Sequence, residues 1–442
     1  MIHNKVYIET LGCSKNEIDS ELMMSLLENS NYTAADSPEE ANIIVVNTCG
    51  FIDKAKEESI ETIWEMTRYK TQGQCNHLIL AGCLAERYSN ELLDEIDDVD
   101  AVIGTGNIKD LPSIIKDLNE NKDRIKKTGK INTEYLEDIN RIYFSPTEYV
   151  RISEGCDNLC TYCIIPKLRG RHRSRKMEDI LHEVEYLVEN GVQEIILIGQ
   201  NTSDYGIDIY GEYILHILLD KLNEIKNLKW IRLLYLYPDN FSDKLIASIK
   251  NNNKVVKYVD IPLQHISDNI LKKMNRKTTR TDIENLINTL RREIPDIIIR
   301  TTFIVGFPGE TENDFNELLD FIKEYKLDKL GVFTYSREEG TPAYNLPNQI
   351  SENIKFSRRD KIMETQLNIS SDKMKEKLHK EFSVLIEEYH GNNTYIGRTY
   401  MDSPDIDGIL YLESEDFLNL GDFVRVKIID YLEYDLMGEV IK

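Results

Sequence analysis

Three apolar runs near the start of the chain each end on a cysteine: KVYIETLGC at Cys13, ANIIVVNTC at Cys49 and HLILAGC at Cys83. The first alternates and the other two are continuous, and both patterns belong to strands. KNEIDSELMMSLLEN and KAKEESIETIWEMTRY separate them and LAERYSNELLDEI follows, all three with the apolar spacing of amphipathic helices. Strands that alternate with helices build a parallel sheet, and the loops at the carboxyl ends of its strands lie along one edge. Three cysteines that are 36 and 34 residues apart in the chain are therefore predicted to meet in space. Two readings follow: shared ligation of one group, or three unrelated core cysteines.

A second group is local. SEGCDNLCTYCIIP, from Ser153 to Pro166, spaces Cys156, Cys160 and Cys163 as C-x3-C-x2-C after another strand-like stretch, EYVRIS. Zinc sites usually take four ligands in tight pairs, and no fourth Cys or His stands at a matching distance; His172 lies nine residues on, among arginines. Three thiolates on a [4Fe-4S] cube leave one iron open to a small chelating molecule. With an aromatic residue, Tyr162, just before the last cysteine, the motif resembles the signature of the radical S-adenosylmethionine (SAM) superfamily. That resemblance implies SAM bound through its amino and carboxylate groups, and its cleavage to a deoxyadenosyl radical.

Length and charge narrow the setting. A chain of 442 residues exceeds one ordinary core, which predicts two or three domains. Its start lacks the apolar core of a signal peptide, and no apolar run approaches the ~20 residues of a membrane span. Seven cysteines in such a chain argue for a cytoplasmic location and for metal or redox use rather than disulfides. A net charge of −23 suits a basic protein partner better than a phosphate backbone, although solubility alone also explains it.

From about residue 142 to 375 the strand–helix rhythm continues through QEIILIGQ, WIRLLYLYP, YVDIPLQHIS, IIIRTTFIVGFPGET and KLGVFTYS. It predicts a partial β/α barrel of about six units, with its chemistry at the carboxyl ends of the strands. The polar candidates there are Gln200, Gln264 and the turn from Gly306 to Gly309; GFPGET resembles the segment that lets superfamily backbones approach the adenine of SAM. Arg300 is a candidate for the SAM carboxylate, or else the partner of a neighbouring acid. Residues 380–442 carry short alternating strands and turn signals such as Asp407-Gly408, which predict a small antiparallel barrel. The charged stretch 119–141 reads as a linker after an N-terminal domain over 1–118.

Together, TLGCSKNEIDSE, NTCGFI, AGCLAERY and EGCDNLCTYCIIPKLRG resemble the methylthiotransferase family over essentially the whole chain. The family implies a flavodoxin-like N-terminal domain, a radical-SAM barrel and a TRAM-like C-terminal barrel. It also implies two [4Fe-4S] clusters, one on Cys13, Cys49 and Cys83 and one on Cys156, Cys160 and Cys163, with Tyr162, Gln200, Gln264, Arg300 and Gly306 as candidates around SAM. Cys75 matches no family position and reads as an inert, partly buried thiol.

Within the family, LGCSKN (Leu11 to Asn16), Asp157, RGRHRSR (Arg169 to Arg175) and GRTYMDSPDIDG (Gly397 to Gly408) resemble the branch that modifies an aspartate of small-subunit ribosomal protein S-twelve. The alternative is the branch that modifies isopentenylated adenosine in tRNA. Between Lys380 and Lys442 five basic residues face fourteen acidic ones, a balance of −9. Such a surface repels phosphates, and Asp402, Asp405 and Asp407 are expected to meet a basic protein. The arginine run could contact RNA, pair with acids of this chain or bind the target carboxylate. The expected partners are thus the ribosomal protein and an unidentified electron donor, without membrane or stable nucleic-acid binding, for a monomeric enzyme.

Overall fold

Six parallel strands form the N-terminal sheet in the computed structural model, which describes residues 4–121, 123–129 and 141–441. They are β1 (Lys5–Thr10), β2 (Thr33–Ala34), β3 (Ile43–Thr48), β4 (His77–Ala81), β5 (Ala101–Ile103) and β6 (Ile125–Lys127). Their order is β2-β1-β3-β4-β5-β6, the doubly wound order of flavodoxin with one strand added at the edge. Helices α1 (Ser14–Glu28), α2 (Asp53–Gln72) and α3 (Gly82–Arg87) follow β1, β3 and β4. Alternation along β3 sends Ile43 and Val45 to one face, against Leu22, Met23 and Leu27 of α1, and Ile44 and Val46 to the other, against Ile63 and Met66 of α2. A sheet covered on both faces has no solvent side, which is why β3 reads as a continuous apolar run.

The stretch predicted as linker is partly structured. Its start completes the helix Leu111–Asn121, and β6 pairs with β5 in the register Ala101↔Ile125. The sequence IKK hides this strand, because an edge strand with one half-buried and two exposed residues tolerates lysines that a central strand cannot. Residues 130–140 of the expected linker lie outside the described residues.

Contacts divide the chain into two compact units: residues 1–143, 151–157 and 163–179 in the first, and 144–150, 158–162 and 180–442 in the second. The barrel sheet comprises β7 (Thr147–Arg151), then, beyond a short β8/β9 pair (Ser153–Glu154 with Arg173–Ser174), β10 (Glu194–Ile198), β11 (Trp230–Leu233), β12 (Val255–Asp260), β13 (Ile298–Val305) and β14 (Lys329–Thr334). Its order follows the chain, with β7 and β14 as edges, so the expected partial barrel of six units is present.

The C-terminal strands β15 (Glu381–Gly391), β16 (Thr394–Arg398), β17 (Leu410–Glu413), β18 (Phe423–Tyr431) and β19 (Leu436–Val440) close into a barrel. One pair departs from the antiparallel expectation: β17 and β19 run parallel, from Leu410↔Leu436 to Glu413↔Glu439.

This small barrel is fastened to the amino ends of the larger one's strands. Thr147, Glu194, Trp230 and Lys329 are the first residues of β7, β10, β11 and β14. Arg398 donates to Thr147 at 3.1 Å and to Glu194 at 2.6 Å, Lys329 pairs with Asp402 at 2.6 Å, and the rings of Trp230 and Phe423 meet edge to face at 4.7 Å. Burial alone pushes the Glu194 carboxyl upward, but Arg232 and Arg398 hold it below the usual carboxylate range. These pairs revise the expectation for the acidic surface. Asp402 is buried against Lys329, and Asp407 accepts from Tyr258 at 2.6 Å and faces Arg300 at 3.5 Å, so only Asp405 of the three stays exposed.

Candidate functional site

In the first unit the carboxyl ends of β1, β3 and β4 deliver the three separated cysteines to one place. Cys13 caps the amino end of α1. Cys49 follows β3, and its N–H and carbonyl are both held by the Ser59 hydroxyl, at 3.0 and 2.9 Å. Cys83 is the second residue of α3.

Three polar side chains stitch the loops together. Asn16 donates to the Leu11 and Thr48 carbonyls at 2.7 and 3.1 Å, Asn47 donates to the Asn16 carbonyl at 2.8 Å, and the Thr48 hydroxyl donates to the Ala81 carbonyl at 2.6 Å. Gly12, at φ +100°, lies so near Cys49 that a Cβ there would sit 2.8 Å from the Cys49 Cβ and 3.0 Å from its sulfur. Gly50 makes the matching approach to Cys83, with 3.0 Å to its carbonyl carbon. The three cysteines thus meet at one edge of the sheet, as the strand–helix pattern predicts.

Beneath this triad lies a buried square of charge. Arg151 donates to Asp19 and Glu154, both at 2.8 Å; Arg169 donates to Asp19 at 3.0 Å and approaches Glu154 at 3.3 Å. Arg169 also donates to the Asn16 side chain at 2.8 Å. Burial raises the Cys49 thiol to about 12 and pushes Cys83 up as well, while the nearby Arg169 pulls both back. The arginine run thus turns inward or pairs locally, since Arg171 bonds Asp157 at 3.0 Å and Arg175 bonds Asp179. Arg169, Arg171 and Arg175 thus pair with acids of this chain, while Arg173 donates to the Arg171 and Arg169 carbonyls. Arg169, Asn16 and Asn47 sit inside the quoted motifs, but only the packed structure shows that they hold the loops.

In the second unit the segment 158–162 is clamped at the carboxyl side of the barrel. Thr161 donates its N–H to the Met274 carbonyl at 3.0 Å and its hydroxyl to Lys273 at 2.8 Å, and it accepts from the Ala343 N–H at 2.8 Å. Tyr162 packs on Ile270, Met274, Phe307, Tyr335 and Ala343, so it and the GFPGE turn belong to one cluster. Gln264, at φ +72°, donates its N–H to Thr302 at 2.8 Å and accepts from the Ile304 N–H at 2.7 Å, tying the loop after β12 to β13. Gln200 follows β10, and Gly306 follows β13 at φ +72°.

Arg300 is spent elsewhere. As the third residue of β13 it pairs with Asp260 at 2.8 Å and with Asp407, which is the acid-pairing alternative and not a place beside the turn. Glu310 closes the turn by accepting from the Gly306 and Phe307 N–H groups and from Arg358 at 3.1 Å, and burial raises its carboxyl to about 7.

Tyr237 and Arg276 escaped the sequence reading altogether. The Tyr237 hydroxyl lies 2.5 Å from the sulfur of the buried Cys160, and the Arg276 guanidinium sits over the Tyr237 ring, 3.8 Å from its centroid. Tyr237 ends WIRLLYLY at the carboxyl side of β11, and that position was the available signal.

Among the described residues, no three or more His, Cys, Asp or Glu side chains are placed to hold a single metal ion. A cube asks for something else: each thiolate binds a different iron, so its ligands stand farther apart than those converging on one ion. Both cysteine sets supply thiols, the donor type such a cube takes. Among the described residues, three buried donors, Nε and Nη1 of Arg276 and the amide nitrogen of Asn158, have no hydrogen-bond partner. Unmet buried donors cost about 1–3 kcal/mol each, and an anionic group beside Cys160 would satisfy them.

The chain matches the models of uncharacterized protein family UPF0004 over residues 5–104, the radical SAM superfamily over 150–322 and the TRAM domain over 380–441. It is 50% identical over 439 residues to a protein of Clostridioides difficile named ribosomal protein uS12 methylthiotransferase RimO, covering 99% of both chains. A protein of the same name from Acetivibrio thermocellus is 48% identical, with 99% of this chain and 98% of the relative covered. Among solved structures, the radical SAM methyltransferase TsrM of Kitasatospora setae superposes with a TM-score of 0.57 at 15% identity, over 78% of this chain and 77% of that one. That likeness speaks for the fold alone.

Proposed function

The chain belongs to the RimO family of ribosomal protein uS12 methylthiotransferases, and on that premise we propose that it replaces a β-hydrogen of an aspartate in uS12 with a methylthio group. It is a radical-SAM transferase. In this reading Cys13, Cys49 and Cys83 hold one [4Fe-4S] cluster and Cys156, Cys160 and Cys163 hold the other. When bound, the clusters and SAM supply the electron, the hydrogen-abstracting radical, the sulfur and the methyl group. The target C–H bond has no usable acidity, which is why no acid–base pair of this chain could do the same work.

The protein's own contribution is placement. Asn16, Asn47 and Thr48 fix three thiol-bearing loops against one another, and Arg169 of the charge-balanced square sets a guanidinium close to Cys83 and Cys49. Thr161 and its partners fix the loop that carries Cys160. Tyr162, Gln200, Gln264 and the Gly306 turn are the groups proposed to face SAM. No helix among the described residues is long and apolar enough to cross a membrane, and we place the reaction in the cytoplasm, on a monomeric enzyme supplied by a separate electron donor.

The observation that carries the reading is the meeting of Cys13, Cys49 and Cys83 in a chain that also has the C-x3-C-x2-C loop. Intact-mass measurement of uS12, and nucleoside analysis of tRNA, from cells with and without the gene test it. The expected result is a methylthio mass on uS12 that disappears with the gene while tRNA is unchanged. Loss of methylthioadenosine from tRNA, with uS12 unaltered, would replace this reading by the tRNA one.

A further inference from the structure

Tyr237 and Arg276 gather beside one sulfur. The phenol oxygen is 2.5 Å from the Cys160 sulfur, and Arg276, only 7% exposed, stacks on the same ring, near enough for that sulfur to act on its charge. Its Nη2 donates to the Pro262 carbonyl at 2.8 Å, which leaves Nε and Nη1 buried without a hydrogen-bond partner among the described residues. A thiolate carries no proton, so against it both groups can only donate.

We propose that Tyr237 and Arg276 are positioning residues that hydrogen-bond the Cys160 thiolate and thereby raise the reduction potential of the barrel cluster. The inference rests on Cys160 being a cluster ligand. Reduction adds one negative charge, and donors aimed at a ligand sulfur stabilise the reduced form more than the oxidised one; hydrogen bonds to sulfur and net charge are the protein's levers on such potentials. A merely structural role is distinguishable, because Tyr237→Phe keeps the ring and the stacked guanidinium and removes only the hydroxyl.

The test uses the full-length protein, reconstituted anaerobically with iron and sulfide and titrated electrochemically under electron paramagnetic resonance. The barrel cluster is recognised by the change in its signal when SAM is added. Tyr237→Phe is expected to keep its full iron content while the ratio of reduced to oxidised barrel cluster at a fixed potential falls about tenfold, about 59 mV for one electron. Arg276→Met should shift further in the same direction, and Arg276→Lys, which keeps the charge without the planar fork, should lie between. The N-terminal cluster's potential should stay where it was in all three.

An unchanged or raised potential in iron-replete Tyr237→Phe overturns the proposal, and that variant decides the matter even if Arg276→Met does not fold. The underlying assignment is tested separately: full iron in Cys160→Ala would remove Cys160 from the ligand set.

Discussion

The N-terminal triad draws its thiols from the ends of three strands, whereas Cys156, Cys160 and Cys163 share a single loop of eight residues. The first arrangement exists only once the parallel sheet has formed, since nothing local holds Cys13 near Cys83. The second is nearly complete in the chain itself and needs only clamps such as Thr161 on Met274 and Lys273. Their electrostatics differ accordingly. Buried inside the sheet edge, Cys49 and Cys83 are pushed toward the neutral thiol and rely on Arg169 of a charged square. Cys160 instead has a phenol and a stacked guanidinium. A site assembled by topology carries its supports on distant segments; a site assembled by a loop borrows them from the barrel wall.

The largest effect that could break this comparison is removal of either set. Two cubes hold about eight irons, so Ala at Cys13, Cys49 and Cys83 together should leave about four and retain SAM cleavage without sulfur insertion. Ala at Cys156, Cys160 and Cys163 should also leave about four but abolish cleavage. Iron analysis and deoxyadenosine assays read both outcomes. If the folded N-terminal triple variant failed to cleave SAM, the two sets would not be separable in function.

A smaller perturbation probes the topological site without touching a ligand. Gly12→Ala places a Cβ 2.8 Å from the Cys49 Cβ at a φ of +100°, a backbone region that costs an L residue about 1–2 kcal/mol before any contact is counted. The neighbouring loop must give way, so the variant should lose iron from the N-terminal site and keep the SAM-sensitive signal of the barrel cluster. Gly191→Ala is its control: φ is +99°, but no described residue lies within 4 Å of the added carbon, so strain alone should leave both clusters filled. Equal iron loss in the two variants would mean that backbone strain, not the approach to Cys49, sets the result.

How much of this was legible in the sequence follows the same division. The strand–helix rhythm gave the doubly wound sheet and the six-unit barrel, because hydrophobic periodicity is a local property. It missed β6, where IKK is too short and too charged to read as a strand. It could not assign Arg300, because an arginine at the start of a strand looks the same whether it meets a ligand or Asp260 and Asp407. The acidic C-terminal barrel was read by its net charge, which cannot show that Asp402 and Asp407 face inward to Lys329, Tyr258 and Arg300. Side-chain partners 73 or 149 residues away, as for Lys329 with Asp402 and Tyr258 with Asp407, leave no periodic trace.

The smallest expected effect sharpens the comparison most, because it isolates position from chemistry. Cys75 shares the sheet of the N-terminal triad, is 5% exposed against 6% for Cys83, and is likewise pushed up by burial, to about 11. By burial and acidity alone it is as good a candidate as Cys83. The difference is the end of the strand: Cys75 precedes β4 and Cys83 follows it. In a parallel sheet the carboxyl edge is where loops gather around a ligand, and the amino edge is not. The Cys75 thiol satisfies itself locally by donating to the His77 carbonyl at 3.3 Å, and it packs among Ala41, Leu78 and Met66. Cys75→Ala removes a weak hydrogen bond and a small volume, so it should cost about 1 kcal/mol in unfolding free energy. Iron content and turnover should match the unsubstituted protein, while Cys83→Ala loses the N-terminal cluster. Loss of iron in folded Cys75→Ala to the level of Cys83→Ala would show that thiol burial, and not the carboxyl edge of the sheet, selects the ligands.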